Sequence, residues 1–595
     1  MQLKEIDWAI VVAFFVVSLA IGLWVSKKAG KNTSEFFLSG RNMPWWLLGV
    51  SMVATTFSAD TPNLVTDIVR QNGVSGNWVW WAFLLTGMLT VFVYAKLWRR
   101  SKVLTDLEFY ELRYSGKEAA FLRGFRAIYL GVFFNVMIMA SVSLAAIKIG
   151  SVMLGLSPIQ TLLIASIVTV VYSSLGGLRG VIITDFIQFG LAMIGAVWAA
   201  NVVLHLPQVN GLGNLLTHEN VADKLNVLPD FNDAKNLIAV FILPLAVQWW
   251  SVWYPGAEPG GGGYVAQRML SAKSEKHAMG ATLLFNLAHY ALRPWPWILI
   301  ALASLVIYPD IASLQKAFPT IDPKVVKDDL AYPAMLVFLP AGLIGLVVAS
   351  LIAAFMSTIS THLNWGSSYI VNDFYKRFVK PEASDKELVA VGRLSTVILM
   401  TLAAIFALLL ENALQAFNIL LQIGAGTGLI FILRWFWWRI NAYTEIVAMF
   451  FSFFLAIYFQ IIHPALGFNK IPDHWQLLLG VGLTTLTWLI ATFVTRPTNM
   501  ETLKQFYALT TPGGPGWAKV REKMEDFEDS QKAAAWQLPL EIAGMFVGCL
   551  TVYTALFATG FWLYGNTTPA LVLTIVCALG AFGLFQIWSR LKTRK

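Results

Sequence analysis

Apolar runs of about 20 residues follow one another along most of the chain, with short polar stretches between them. Each is long enough to cross roughly 30 Å of hydrocarbon as a helix. The first, "WAIVVAFFVVSLAIGLWV", extends from Trp8 to Val25. It is too long for a secretory h-region and lacks a basic n-region or a small-residue cleavage site, so it reads as a retained helix. Later runs begin near Pro44, Asn77, Phe125, Pro158, Val181, Leu237, Met279, Tyr332, Leu388, Leu414, Glu445, Leu477, Leu540 and Pro569, which makes about fifteen in all. The pattern predicts an all-α polytopic membrane protein with about 15 transmembrane helices. Composition agrees: 57% of the 595 residues are hydrophobic and 13% charged, and the mean hydropathy is +0.64, which excludes an ordinary soluble globule.

Lys and Arg cluster in alternate loops. "SKKAGKNTSEFFLSGR", "KLWRRSK", "QRMLSAKSEK", "YKRFVK", "RWFWWR" and the terminal "RLKTRK" fall on one side, which the positive-inside rule makes cytoplasmic. The expected orientation has the N-terminus outside and the C-terminus in the cytoplasm, in a plasma membrane (the inner membrane in a bacterium). The net charge of +9 follows from these sided loops and calls for no nucleic-acid partner. Cys549 and Cys577 lie in consecutive apolar runs, a placement that suits neither a structural disulfide nor a thiolate metal site. The longest polar inserts are 207–235, 309–329 and 496–537. The last, with "TPGGPGW" and then "KVREKMEDFEDSQKAAAW", predicts a turn and a short surface helix in a solvated connector.

Two runs are broken where a membrane helix should continue. "WYPGAEPGGGGYVAQR", Trp253 to Arg268, follows an apolar run, and "WWLLGVSMVATTFSADTPNLV", Trp45 to Val65, meets Ser58, Asp60, Thr61 and Pro62. Unpaired backbone in lipid costs several kcal/mol per group, so such breaks belong where protein or a cavity surrounds them, and transporters build central sites from them. The breaks lie an odd number of crossings apart, which suits two five-helix units of opposite topology. The glycines do not form a phosphate loop, because no Lys-Ser or Lys-Thr follows them.

Within "ASLIAAFMSTISTHLNWGSSYIVNDFYKR", Ala354, Ser357, Thr358 and Thr361 recur at i, i+3, i+4 and i+7 and share one helical face, with Ser360 beside them. Hydroxyls here and carbonyls freed near Ala54 and Phe57 would suit a hard monovalent cation such as sodium; tight helix packing is the alternative. Asp185 adds a carboxylate just inside a membrane run, where an ionisable group is a functional candidate. Asp60, Lys148, Glu258, Arg293 and His362 join it. Glu258, among Trp253 and Tyr254, is the substrate candidate that the residues themselves offer, either accepting sugar hydroxyls beneath a ring or completing an aromatic cage for an ammonium group. There is neither an H-E-x-x-H motif nor a nucleophile elbow, so no enzymatic activity is expected.

These motifs converge on a family. Through "FFLSGRNMPWWLLGVSMVATTFSA", "LTDLEFYELRY", "YSSLGGLRGVIITDFIQ", "YVAQRMLSAKS", "AAFMSTISTHLNWGSSYIVNDFY" and "ELVAVGRL", the chain resembles the sodium/solute symporters, relatives of the galactose, proline and sialic acid transporters. The resemblance implies a leucine-transporter-like fold of two inverted five-helix repeats. The expected division is an extra helix and loop in 1–43, the first repeat in 44–207, an extracellular loop in 208–235 and the second repeat in 236–440. Accessory helices follow in 441–495, the connector in 496–537 and a helical hairpin in 538–595. It further implies a first sodium site on Ala54, Phe57, Ala354, Ser357 and Thr358, and a second on Asp185, Ser357, Ser360 and Thr361. Thr61, Arg293 and Gln422 fall at or near substrate positions of the sugar transporters. The function expected is sodium-coupled symport of a small polar organic solute, a sugar or polyol first, with sodium ions, the solute and the bilayer as partners. The alternatives are an amino acid, sialic acid or quaternary amine as solute, or proton coupling on the same scaffold.

Overall fold

The computed structural model describes residues 3–29, 32–251, 258–323, 326–410, 424, 426–469, 471–524 and 537–593. Among them the chain is all-helical, with one isolated backbone bridge between Met43 and Ala272 and no strand. The principal helices are α1 (Glu5–Ala29), α2 (Trp45–Thr56), α3 (Thr61–Asn72), α4 (Val74–Ser101), α5 (Gly116–Leu154) and α6 (Pro158–Leu204). They continue with α7 (Ala234–Ala246), α8 (Gly263–Ser271), α9 (Glu275–Ile307), α10 (Leu343–Val379), α11 (Asp385–Ala407) and α12 (Ala442–Ala465). The last four are α13 (Asp473–Val494), α14 (Met500–Thr510), α15 (Leu538–Leu563) and α16 (Thr567–Arg590).

By length and composition, 10 helices among the described residues can cross a membrane. The expected count of about fifteen is not reached by that measure, for identifiable reasons. Trp45–Thr56 and Ala234–Ala246 are shorter apolar helices because each is the first half of a broken crossing, and Pro158–Val171 is also short. Most of the run predicted from Leu414 lies outside the described residues. The runs predicted from Pro158 and Val181 are joined in α6, whose 47 residues span about 70 Å. No proline follows Pro158 within it, so nothing in the sequence forces the backbone to stop.

α10 is the central element, with α2, α6 and α11 packed around it. Its residues from Leu343 to Ser368 are almost all buried, the hydroxyl-bearing face included, as befits a helix surrounded by others. α1 crosses its start closely: Asp7 Oδ1 accepts the backbone N–H groups of Gly342 at 2.7 Å and Gly345 at 2.9 Å. A carboxylate thereby satisfies donors that the first turn of α10 leaves without helical partners. The lipid-facing outer helices expose large apolar residues such as Phe582 and Phe585 on α16.

The described part of the 496–537 insert, 496–524, departs from the solvated connector expected of it. Leu503, Phe506 and Tyr507 on α14 and the following Trp517 are fully buried. Trp517 Nε1 donates to the Trp435 carbonyl at 2.8 Å, and Arg100 Nη1 to the Thr510 carbonyl at 3.3 Å. The segment therefore lies docked across the ends of the bundle that carry the basic loops. Leu503, Phe506, Tyr507 and Thr510 stand at i, i+3, i+4 and i+7, an amphipathic stripe that buries one face and accounts for the docking.

Candidate functional site

Both predicted breaks are present. α2 stops at Thr56 because Phe57 takes non-helical angles, φ −84° and ψ 68°, while its N–H bonds the Val53 and Ala54 carbonyls at 2.8 and 3.1 Å. α3 restarts at Thr61 with Pro62 in its first turn, where a missing N–H costs nothing. Thr61 Oγ1 donates back across the gap to the Thr56 carbonyl at 3.1 Å, so this candidate side chain stitches the break. At the second break, Gly260 and Gly261 have φ of +85° and +91°, which a side chain would strain. A Cβ at Gly261 would also stand 2.5 Å from Met269 Cε. The start of α8 is already capped: Gly263 N–H donates to Asp106 Oδ2 at 2.8 Å, and Tyr369 donates to Asp106 Oδ1 at 2.5 Å.

The residues of the first expected sodium site come together where α2 ends against α10. Ala54, Phe57, Ala354, Ser357 and Thr358 are all buried, and Thr358 Oγ1 donates to the Thr55 carbonyl at 2.7 Å. One turn further along α10, Asp185 reaches in from α6. Its Oδ1 accepts from Ser357 Oγ at 2.6 Å and its Oδ2 from Ser51 Oγ at 2.5 Å. Thr361 Oγ1 lies 3.0 Å from Thr55 Oγ1. Ser360 turns away, its hydroxyl donating to the Ser357 carbonyl at 3.2 Å.

Three participants were not foreseen. Ser51 and Thr55 lie one turn apart on α2 and extend the hydroxyl face from the opposite side. Arg268 on α8 donates to Ser51 Oγ at 3.2 Å and to Thr361 Oγ1 at 2.8 Å, and stands 3.8 Å from Asp185 with both side chains fully buried. Charge alone groups it with a basic loop; what sets it apart is its position inside the short helix that follows the glycines. Together these groups form a wall of neutral oxygens with one carboxylate and one guanidinium. Such a donor set suits a hard cation and offers no soft ligand. No group of three or more His, Cys, Asp or Glu that could hold a metal ion occurs among the described residues.

The other candidates divide. Trp253, Tyr254 and Gln422 lie outside the described residues. Glu258 is not a free acceptor: it pairs with Arg126 and, at 3.1 Å, with Arg434, and all three side chains are buried. Arg434 also stands 3.6 Å from Glu445 and over the Phe109 ring at 4.6 Å. Glu258 therefore belongs to an ionic cluster at the basic end. Lys148 pairs with Asp329 at 2.6 Å, and His362 Nδ1 lies 2.5 Å from Asn135 Oδ1, so both have structural partners. Arg293, at the start of the second segment of α9, reaches the first break: Nη1 donates to Thr56 Oγ1 at 3.3 Å. Asp60 and Thr61 are half-buried beside it, unlike the buried residues around them.

Residues 36–451 match the model of the sodium:solute symporter family. A sodium/glucose cotransporter of Vibrio parahaemolyticus is 26% identical over 491 residues, which cover 78% of this chain and 87% of that protein. A sodium/glucose cotransporter 4 of Danio rerio is 27% identical over 484 residues, covering 74% of this chain and 69% of the relative. The structure of a Na+-coupled sialic acid symporter in a substrate-bound outward-open state superposes with a TM-score of 0.66 at 21% identity, covering 83% of this chain and 99% of that one. That likeness shows a shared fold.

Proposed function

The chain belongs to the sodium:solute symporter family, and from that premise we propose that it carries a small polar organic solute, a sugar or polyol, into the cell together with sodium. It is a transporter and not an enzyme. The observation that carries the reading is the oxygen wall where the broken α2 meets α10, with Asp185 behind it. We read its two levels as two sodium sites, the first on Ala54, Phe57, Ala354, Ser357 and Thr358, the second on Asp185, Ser357, Thr361 and Ser360. The second requires a rotation of Ser360, whose hydroxyl faces its own helix. The two broken helices are read as the equivalent first helices of two inverted repeats, the basic end as cytoplasmic, and the membrane as the plasma membrane.

Coupling follows from linkage. Sodium bound between α2 and α10 favours the arrangement that receives solute, and solute in turn favours sodium. One charge crossing 100 mV supplies about 2.3 kcal/mol, which corresponds to roughly fifty-fold accumulation of a neutral solute, and a second ion squares that factor.

The test is thermal stability of the purified protein in sodium and in potassium, across a panel of sugars, polyols, amino acids, sialic acid and quaternary amines. Stabilisation by a sugar or polyol in sodium alone supports the reading, and Ser357→Ala, which touches both levels, is expected to remove the sodium effect. A solute effect that ignores sodium and follows pH transfers the coupling to a proton. No response to sodium at all sinks the symporter assignment.

A further inference from the structure

Among the described residues, the buried arginines Arg70, Arg123, Arg126, Arg268 and Arg434 each have a carboxylate oxygen within 4.0 Å. Arg113 and Arg293 do not. Arg113 lies among rings: it donates from Nε to the carbonyl of Arg434 at 2.9 Å and from Nη2 to that of Trp437 at 3.0 Å, leaves Nη1 without a hydrogen bond, and is surrounded by Tyr114, Phe506 and Trp517, with no half-buried polar group of the helix breaks beside it. Arg293 is 1% exposed, and its hydrogen-bond contacts are all to neutral groups. Nε donates to the His289 carbonyl at 3.2 Å, Nη1 to Thr56 Oγ1 at 3.3 Å, and Nη2 approaches His289 Nδ1 at 2.6 Å, with Trp297 5.4 Å below the guanidinium. A guanidinium has five N–H groups, so a donor on Nη1 is left over, while Nη2 faces both ring nitrogens of His289, at 2.6 and 3.2 Å. A buried cation without an adjacent counter-ion bears its desolvation cost uncompensated.

The surroundings show what would answer it. Arg293 lies at the first helix break, and its partner Thr56 is half-buried, as are Asp60, Thr61 and Trp80. Trp80 stacks on Tyr290 at 5.8 Å and 21° and meets His289 edge-on at 5.6 Å. Asp60 interacts with Arg293 electrostatically from beyond 4.0 Å. The site thus joins a planar cationic fork, a carboxylate able to accept hydroxyls, further hydroxyls and an aromatic wall. A carboxylate matches the fork in a way that a sugar hydroxyl does not. Asp60 opposes the second charge of a phosphate.

We propose that the solute is a polyhydroxylated carboxylate, a sugar acid of the uronate or aldonate type. Its carboxylate sits on Arg293, and its hydroxyls on Asp60 and Thr61. The inference rests on the symporter reading and narrows it, since the solute becomes an anion and the total charge carried by solute and sodium together falls by one.

The experiment measures sodium-dependent binding by the full-length protein of D-glucuronate, D-galacturonate and D-gluconate beside glucose, galactose, glucose 1-phosphate and neutral amino acids, in wild type, Arg293→Gln and Arg293→Lys. The expected result is binding of at least one sugar acid, weakened on the order of a hundredfold by Arg293→Gln and partly restored by Arg293→Lys. A sodium-induced thermal shift retained in Arg293→Gln shows that the variant is folded. Binding of neutral sugars without sugar acids overturns the inference and leaves the symporter reading standing. Binding of amino acids alone overturns it in favour of an ammonium on Asp60, and binding of the sugar phosphate alone overturns the carboxylate. Sugar-acid binding unaffected by Arg293→Gln removes Arg293 as the anchor and overturns it equally. The absence of both solute binding and a sodium shift removes the symporter reading as well.

Discussion

At the scale of single residues, burial turns ionisable groups into commitments. Glu258 shares its two arginines with no solvent, so Glu258→Gln leaves Arg126 and Arg434 short of a counter-charge inside the protein. The expected loss is about 3–5 kcal/mol, seen as a lower melting temperature that Ser357→Ala does not reproduce. Glu111 behaves differently because it is partly solvated, in the short helix Glu108–Arg113 between two spans. Burial pushes its carboxyl upward, but hydrogen bonds from Arg377 and Arg123 outweigh that and hold it below its ordinary 4.5. A depressed carboxyl contributes stability that is present above the ordinary value and lost as pH falls through the folded one. The difference in melting temperature between wild type and Glu111→Gln is therefore expected to be full at pH 7 and to shrink below pH 4.5. Neither pairing was legible in the sequence, since Arg126 and Arg377 lie far from their partners along the chain. Asp185 was legible, because a carboxylate inside an apolar run stands out without knowledge of its partner.

At the scale of elements, the sequence announces helices and their interruptions more clearly than it announces their neighbours. Pro62 and the glycines at 260–263 mark the breaks because their effect on the backbone is local. The amphipathic stripe of α14 is equally local, but the charged stretch that follows it points to solvent and masks the stripe. Close crossings depend on which helix lies opposite and leave little local trace. Gly345 is one such place: a Cβ there would meet the backbone of Asp7, 2.5 Å from its Cα and 2.9 Å from its carbonyl oxygen. Gly345→Ala is expected to separate α1 from α10 and to cost about 1–3 kcal/mol, while Gly190→Ala, which meets nothing within 4 Å, is expected to be neutral or mildly stabilising. Comparing the melting temperatures of the two variants separates the effect of the crossing from the general effect of removing a glycine.

At the scale of the molecule, the docked segment of 496–524 ties the end of α4 to the region after α11. Removing its anchor with Trp517→Ala is expected to expose that segment to limited proteolysis long before the helical bundle is cut. An unchanged cleavage pattern would mean that docking does not depend on the indole. A second tie joins the two broken helices. Met43 N–H bonds the Ser271 carbonyl at 3.1 Å and Lys273 N–H bonds the Met43 carbonyl at 3.2 Å, while Arg268 reaches Ser51. The first half of one broken helix and the second half of the other are thus fastened at both their ends and their middles. α3, by contrast, is held on the far side, where Arg70 bonds Tyr308 and Asp328. The two halves of the first broken helix accordingly belong to different levers that share a pivot at residues 57–60. On the proposed symporter reading, cargo resting at such a pivot stays almost still while the levers swing, so the same solute can be opened to one side and then to the other with little movement of its own.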